Sequence, residues 1–377
     1  MVENNASREL VLVEQAHKFR VKFIEPNAAS WERDRCLPRE YFQAAAEYEL
    51  CGLLVPTHLG GQAISNSALA KILSELSAAC FASTFALVVH NNLASNISKN
   101  GAAVHQALLP EMIAGRKIGA FLLTEPGAGS DAAAITTLAS KNSDSYVLNG
   151  SKAWITNGVN ADLLSIYAQT ETGSGAKGIA SFLIDANHTN LKRTSPYELL
   201  GAHAMNVCGF EFSDTEIPHA ALMIESGRAF KAAMQGIDLA RTMVAAMCCA
   251  MVRRGLDEAI GYTKKRQVFR KAVAEHQYPR HVLADVSTDL AAAEALTIQA
   301  LNALDEGNRA TQVAAHAKKF STKVALARIA DCMQMMGAVG ALGDYALARH
   351  LACAKLAQYV DGTSEIQNVV LARELFK

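Results

Sequence analysis

The sequence predicts an α+β chain in three parts, helical, then β, then helical, and three observations carry that expectation. Apolar residues recur at three-and-four spacing in the first and last thirds. Short runs rich in β-branched and aromatic residues, separated by Gly, Asn, Asp and Ser, fill the middle. No tandem repeat or low-complexity linker divides the 377 residues, a length that favours several packed domains over one core. The 36 basic and 36 acidic side chains cancel. No global field then draws the protein to nucleic acid or an anionic membrane, and small ligands are the expected partners.

The first helical domain is placed at residues 1–117, where PREYFQAAAEYELCGLLVP and SALAKILSELSAAC have the periodicity of amphipathic helices. Residues 118–223 form the expected β domain, with strands read in SYVLNGSKAWIT, DLLSIYAQT, IASFLID and CGFEFSD. Residues 224–377 return to the helical pattern. Leu283, Val286, Leu290, Ala293, Ala300 and Leu304 fall along one face of a long helix that follows Gln277 and is ended by Gly307. A ligand is expected at the junction of the β domain and this bundle.

Eight cysteines without a CxxC pair argue against zinc ribbons, thioredoxin chemistry and a disulfide framework, and they are expected to be buried thiols. Eleven histidines show no HExxH or comparable spacing, so no metal is expected. No uninterrupted apolar run reaches membrane-spanning length, and the opening MVENNASREL lacks the order of a signal peptide. A cytoplasmic location away from any membrane is the expectation.

Two motifs narrow the chemistry. The loop TEPGAGSD, residues 124–131, can turn backbone N–H groups toward an anion, although a plain surface turn has the same composition. It is neither a Walker loop nor a GxGxxG fingerprint. In NGSKAWITNG, residues 149–158, strand alternation puts Trp154 and Thr156 on one face, a pair suited to a flat heteroaromatic ring.

Together FLLTEPGAGSD and GSKAWITNG resemble the two flavin-facing segments of the acyl-CoA dehydrogenase family, short-chain members especially, and the resemblance runs over nearly the whole chain. It implies a helical domain, a central β domain and a C-terminal four-helix bundle, with one non-covalent FAD between the last two. By position, the resemblance makes Phe121, Leu123, Thr124 and Ser130 contacts of the flavin or its ribityl chain and sets Trp154 and Thr156 beside the ring. Ser130 would also approach the substrate. RQVFRKAVAEHQ resembles the family's Arg-x-x-Phe-Gly and later Gln, so Arg266, Phe269 and Gln277 would hold pyrophosphate and adenine, partly across a subunit interface in a homotetramer. Arg270 stands in the place of the family's glycine. QMMGAVG resembles Gln-x-x-Gly-Gly-x-Gly, which makes Gln334, Gly337 and Ala338 further dinucleotide contacts, with alanine replacing one glycine. GIDLAR matches a substrate-side stretch, giving Asp238 and Arg241; a capped, salt-bridged helix start is the equal alternative.

The tail AQYVDGTSEIQ matches the family's Tyr-Glu-Gly-Thr motif, whose Glu removes the α-proton of the acyl thioester. Asp361 occupies that place, preceded by Val360 and standing 27 positions beyond Gln334, the family spacing. Gly362 would face the substrate, and Thr363 and Glu365 continue the flavin-contact motif. The family's other position for the base, just before the arginine of GIDLAR, is Ala240. Asp361 is therefore the expected base, with a helix cap as its alternative role. Aspartate is shorter by one methylene, about 1.3 Å of reach, and a misplacement of about 1 Å can cost ~10²-fold in rate. LACAK replaces a usual Arg-Asp pair, and His203 stands where arginine is common. The implied function is FAD-dependent desaturation of an acyl thioester on CoA or an acyl-carrier protein, with electron-transfer flavoprotein or another acceptor. The alternatives are a nitroalkane-oxidase-like enzyme with an Asp base and an FAD-binding homologue of low activity.

Overall fold

The structure is a computed structural model that describes residues 2–377. Helices α1 (Val2–Phe19), α2 (Glu25–Arg33), α3 (Glu40–Glu47), α4 (Asn66–Ser77), α5 (Phe81–Asn100) and the short α6 (Ala103–Gln106) and α7 (Leu109–Ile113) come first. The amphipathic segment SALAKILSELS becomes α4, started by the Ser65 hydroxyl, which accepts from the Ala68 N–H at 3.1 Å. The segment PREYFQAAAEYELCGLLVP is helical only through Glu47. Beyond it Glu49 turns to φ 61°, and the buried Asn91 amide oxygen accepts the N–H groups of Gly52 and Leu53, each at 2.8 Å. A side chain thus offers these amides the partners that a helix would otherwise supply.

Strands β1 (Gly119–Leu122), β2 (Leu138–Lys141), β3 (Ser145–Ile155), β4 (Leu163–Gln169), β5 (Ile179–Asp185), β6 (Leu191–Arg193), β7 (Cys208–Pro218) and β8 (Leu222–Ile224) build one sheet. Its order is β6-β7-β3-β2-β4-β5-β8, with β1 parallel to β4. Every residue of β4 is buried, which is why that run is apolar without alternation. β8 ends at Ile224, one residue past the boundary drawn from composition.

The C-terminal bundle comprises α8 (Ala229–Lys265), α9 (Gln277–Asp305), α10 (Thr311–Met336), α11 (Leu347–Ala357) and α12 (Ser364–Leu375). A minute hairpin of β9 (Gln267–Val268) and β10 (Lys271–Ala272) joins α8 to α9. In α9 the predicted face is real: Val286, Leu290, Ala293 and Ala300 are buried, and Gly307 follows the helix at φ 70°. By length and composition α8 and α10 could each cross a membrane; here they pack against one another in the bundle. Seven cysteines are buried, whereas Cys36 is exposed, because it lies in the open segment after α2.

Two buried asparagines stitch the layers together. Asn206 both accepts from the Leu37 N–H at 2.9 Å and donates to the Leu37 carbonyl at 2.8 Å. Asn157, just past β3, donates to the carbonyls of Ala86 on α5 and Gly119 on β1 at 2.9 and 3.0 Å. A third core joins the sheet to the bundle, with Leu123 and Ala128 packed among Ala229 and Ala233 of α8. Asn157 also sits at φ 64°. Asn157→Ala should lose both bonds and gain left-handed strain, costing about 2–4 kcal/mol in urea unfolding. A loss within the ~0.5 kcal/mol of a surface change would contradict that role.

Candidate active site

The loop after β1 is a tight turn in which the N–H groups of Glu125 and Ala128 bond to each other's carbonyls at 3.0 and 3.2 Å. A Cβ added at Gly127 would meet nothing within 4 Å, and one at Gly129 only Thr124 Cγ2 at 3.9 Å. The N–H groups of Gly127, Gly129 and Ser130 donate to no other described residue. This open, donor-rich backbone fits an anionic or polyhydroxyl group.

Beneath the loop lies a buried ion pair that sequence reasoning passed over. Lys152 of β3 donates to the Glu125 carboxylate at 2.8 Å and to the Leu123 carbonyl at 3.0 Å. Glu125 also accepts the N–H and hydroxyl of Thr136 and the N–H of Thr137 at 2.7–2.9 Å. Burial pushes the Glu125 carboxyl up, but Lys152 and these donors outweigh it and hold it near 2. The only sequence signal for the pair was a lysine within the strand-forming run SYVLNGSKAWI.

The two flavin-facing segments touch, since the Ala153 N–H donates to the Thr124 carbonyl at 2.9 Å. Strand alternation is not what places Trp154 and Thr156. The β3–β7 register slips between Lys152 and Ile155, Trp154 takes φ 61°, and Thr156 lies beyond the strand end. Trp154 is left 59% exposed with its ring 4.6 Å from Tyr197, whereas Thr156 is buried. A bulge re-aims a side chain in this way. Phe121 is half-buried with its ring 4.9 Å from Tyr167. Leu123 turns its side chain into the junction core, so its contact with any ring there would come through its backbone.

The structure brings Asp238 and Arg241 of α8 against Asp361 and Gly362 on the turn between α11 and α12, while Ser130 lies in the loop after β1. Arg241 pairs with Asp238 at 3.2 Å and donates from Nε to the Asp361 carbonyl at 3.2 Å. Asp238 also accepts from the Thr311 hydroxyl at 2.7 Å. A Cβ added at Gly362 would come within 3.1 Å of Gln367 and 3.5 Å of Arg241. Asp361 is not the helix cap: Thr363 caps α12, its hydroxyl accepting from the Ile366 N–H at 3.3 Å. The Asp361 carboxylate accepts no hydrogen bond from any described residue, and the residue sits at φ 52°, a conformation that Asp tolerates better than most. Burial raises its pKa, against the pull of Lys318 and then Arg241. Glu365 is exposed in the first turn of α12.

The dinucleotide residues form a separate, exposed group. Arg266 and Gln277 flank the β9–β10 hairpin, whose turn residues Phe269 and Arg270 both have positive φ. Arg270 thus adopts the backbone for which the family's glycine is suited, at a cost of roughly 1–2 kcal/mol. Phe269 is 90% exposed. Gln334 ends α10 on the surface. Gly337 has φ 62° and ψ −149°, a region essentially reserved for glycine, while Ala338 has an ordinary φ and replaces its glycine without strain. Among the described residues, no hydrogen bond or ion pair joins this group to the flavin-facing segments.

His203 bonds Glu32 of α2 at 2.8 Å, and Ala352 packs against Gly201. The departures at LACAK and His203 are therefore spatial neighbours, with a small contact and a relocated polar pair in place of Arg-Asp.

Sequence models of the acyl-CoA dehydrogenase N-terminal, middle and C-terminal domains match residues 7–116, 120–215 and 227–376, and the chain belongs to the acyl-CoA dehydrogenase family. Members of this family are FAD-dependent oxidoreductases acting on CH–CH bonds. The chain is 33% identical to the acryloyl-CoA reductase (NADH) of Anaerotignum propionicum over 97% of its length and 94% of the relative's. It is 32% identical to the mitochondrial short-chain specific acyl-CoA dehydrogenase of Mus musculus, covering 97% and 90%. The butyryl-CoA dehydrogenase structure from Megasphaera elsdenii superposes with a TM-score of 0.93 at 29% identity, covering 98% of both chains.

The Glu125–Lys152 pair generates a direct test. Lys152→Met leaves a buried carboxylate without its cation and should cost about 3–5 kcal/mol in denaturant unfolding. The double variant with Glu125→Gln should recover part of that loss; a recovery of zero would contradict the coupling.

Proposed function

We propose that the protein desaturates an acyl thioester with Asp361 as the base that takes the α-proton. The observation carrying this reading is the state of Asp361: relieved of capping by Thr363, unbonded at its carboxylate, and half-buried near two cations. Desolvation makes a carboxylate a stronger base, while Lys318 and Arg241 favour its ionised form. Arg241 fixes the turn through the Asp361 carbonyl, and Asp238 and Thr311 in turn fix Arg241. FAD, when bound, supplies the hydride acceptor; the loop of residues 124–131 and the Trp154 bulge are the groups of this chain that would hold its ring and ribityl chain. Ser130 and Gly362 are assigned to the substrate's approach.

The exposed hairpin and the end of α10 are assigned to a cofactor bound by a neighbouring subunit of a homotetramer. The 90% exposure of Phe269 supports that assignment, since a large apolar side chain at a hairpin tip gains most when a partner covers it. Electron-transfer flavoprotein or another acceptor would reoxidise the enzyme, and the acyl carrier would be CoA or a carrier protein.

Asp361→Asn should keep FAD and lower the rate of flavin reduction by an acyl-CoA panel about 10²–10⁴-fold. An Asn variant that reduces flavin as fast as wild type would sink the assignment. Its stability carries a sign. Because the folded-state pKa is raised, the native protein binds more protons than the unfolded chain just above the ordinary carboxylate pKa, so ionising Asp361 lowers stability as pH rises through that window. The Asn variant should therefore be at least as stable as wild type at pH 7, with the gap closing toward pH ~4. Arg266→Ala should weaken FAD binding through the neighbouring subunit, and a flavin-saturated monomer in sedimentation would contradict the shared site.

A further inference from the structure

Lys318 of α10 is fully buried, and its Nζ donates to the carbonyls of Gln358, at 3.2 Å, and Gly362. Those two carbonyls bracket the residues that carry Asp361. Gln367 of α12 donates to the same Gly362 carbonyl at 2.8 Å, and Arg241 of α8 holds the Asp361 carbonyl. Donors from three helices thus pin a turn whose Asp361 and Gly362 both have positive φ.

Satisfying orphan carbonyls at the end of α11 explains a donor but not a charge. Gln367 shows that a neutral amide can reach the Gly362 carbonyl, and burying an ammonium costs several kcal/mol more than burying an amide. The charge is worth burying where it faces an anion. From α8, Lys318 faces the like-charged Arg241 and the thiol of Cys248, whose pKa burial pushes far up; from α12 it faces the exposed Glu365; from the turn it faces Asp361. Lys355 of α11 acts on Glu365, and Asp238 is engaged by Arg241 and Thr311. Asp361 is the half-buried carboxylate of that set left without a hydrogen-bond partner among the described residues.

We propose that Lys318 is a positioning residue for the base: it clamps the turn on both sides of Asp361 and supplies the counter-charge that helps keep its carboxylate ionised. This rests on Asp361 being the base. Burial brings the Lys318 ammonium down to about 8, with Asp361 the strongest opposing influence. A neutral amine would still donate to both carbonyls, so the charge of Lys318 acts on how far down in pH Asp361 stays ionised, and the acid limb of the reaction is the limb that Lys318 sets.

The test is the pH dependence of flavin reduction from pH 5.5 to 9.5 by the best acyl-CoA of the panel, in FAD-loaded wild type, Lys318→Arg, Lys318→Met and Asp361→Asn. Wild type should show an acid limb where Asp361 takes up its proton. Lys318→Met should move the acid limb up by about one unit or more and lower the neutral rate ~10-fold or more. Lys318→Arg, which keeps the charge at all these pH values, should retain the acid limb. An infrared titration in the absence of substrate, with the Asp361 band isolated by subtracting the Asn variant, should show the same upward shift in Lys318→Met. An acid limb left unmoved in Lys318→Met overturns the proposal, and where that variant does not fold the neutral donor of Lys318→Gln carries the same reading. Unmoved limbs with an inactive Asn variant remove only the role of Lys318, whereas an Asn variant as fast as wild type removes the base assignment beneath it.

Discussion

A carboxylate that must abstract a proton from carbon has to be held still, dry and ionised, three demands that pull against each other. The α11–α12 turn meets them by dividing the labour. Thr363 takes the helix cap, Arg241 and Gln367 take carbonyls of the turn, and Lys318 takes a carbonyl on either side of the acid. Asp361 is left with its side chain uncommitted. The long helices α8 and α10 are the frame from which these donors reach the turn, so the bundle core and the acid depend on one another.

The shorter acid fits this backbone. At φ 52° a β-carbon crowds the following carbonyl, and Asp is among the few residues enriched there. The turn is therefore adapted to aspartate in its conformation. On the opposite side, Glu125 and Lys152 perform the same service for the loop of residues 124–131, tying it to β3 and to the start of β2 from below. Their mutual neutralisation leaves the loop's own N–H groups as the donors presented outward.

Much of the fold was legible because its signals are local. Four strands follow from β-branched runs bounded by turn residues, and α9 from a stripe that ends at Gly307. Helix α3 stops at Glu47, Glu49 turns left-handed, and Asn91, distant in sequence, takes the amides of Gly52 and Leu53 farther on. The common face of Trp154 and Thr156 failed because a bulge breaks the period of two, and no residue in GSKAWITNG announces a bulge. Asp361 was found only through its resemblance to a family motif, and the choice between base and cap needed the Thr363 geometry. Lys318 was invisible: in AAHAKKF a lysine reads as solvated helix surface, and its burial is created by helices 40 or more residues away in the chain.

The central claim is that Asp361 removes the α-proton, and proton removal can be separated from hydride transfer. An acyl-CoA with sulfur in place of the β-carbon has no β-hydrogen to lose but retains acidic α-hydrogens. Incubated with the FAD-loaded enzyme in D₂O, it should exchange its α-hydrogens at a rate set by the base alone, followed by NMR or mass. The account predicts ready exchange with wild type and exchange lowered by at least ~10²-fold with Asp361→Asn. Equal exchange by the two proteins would contradict it and place the base elsewhere.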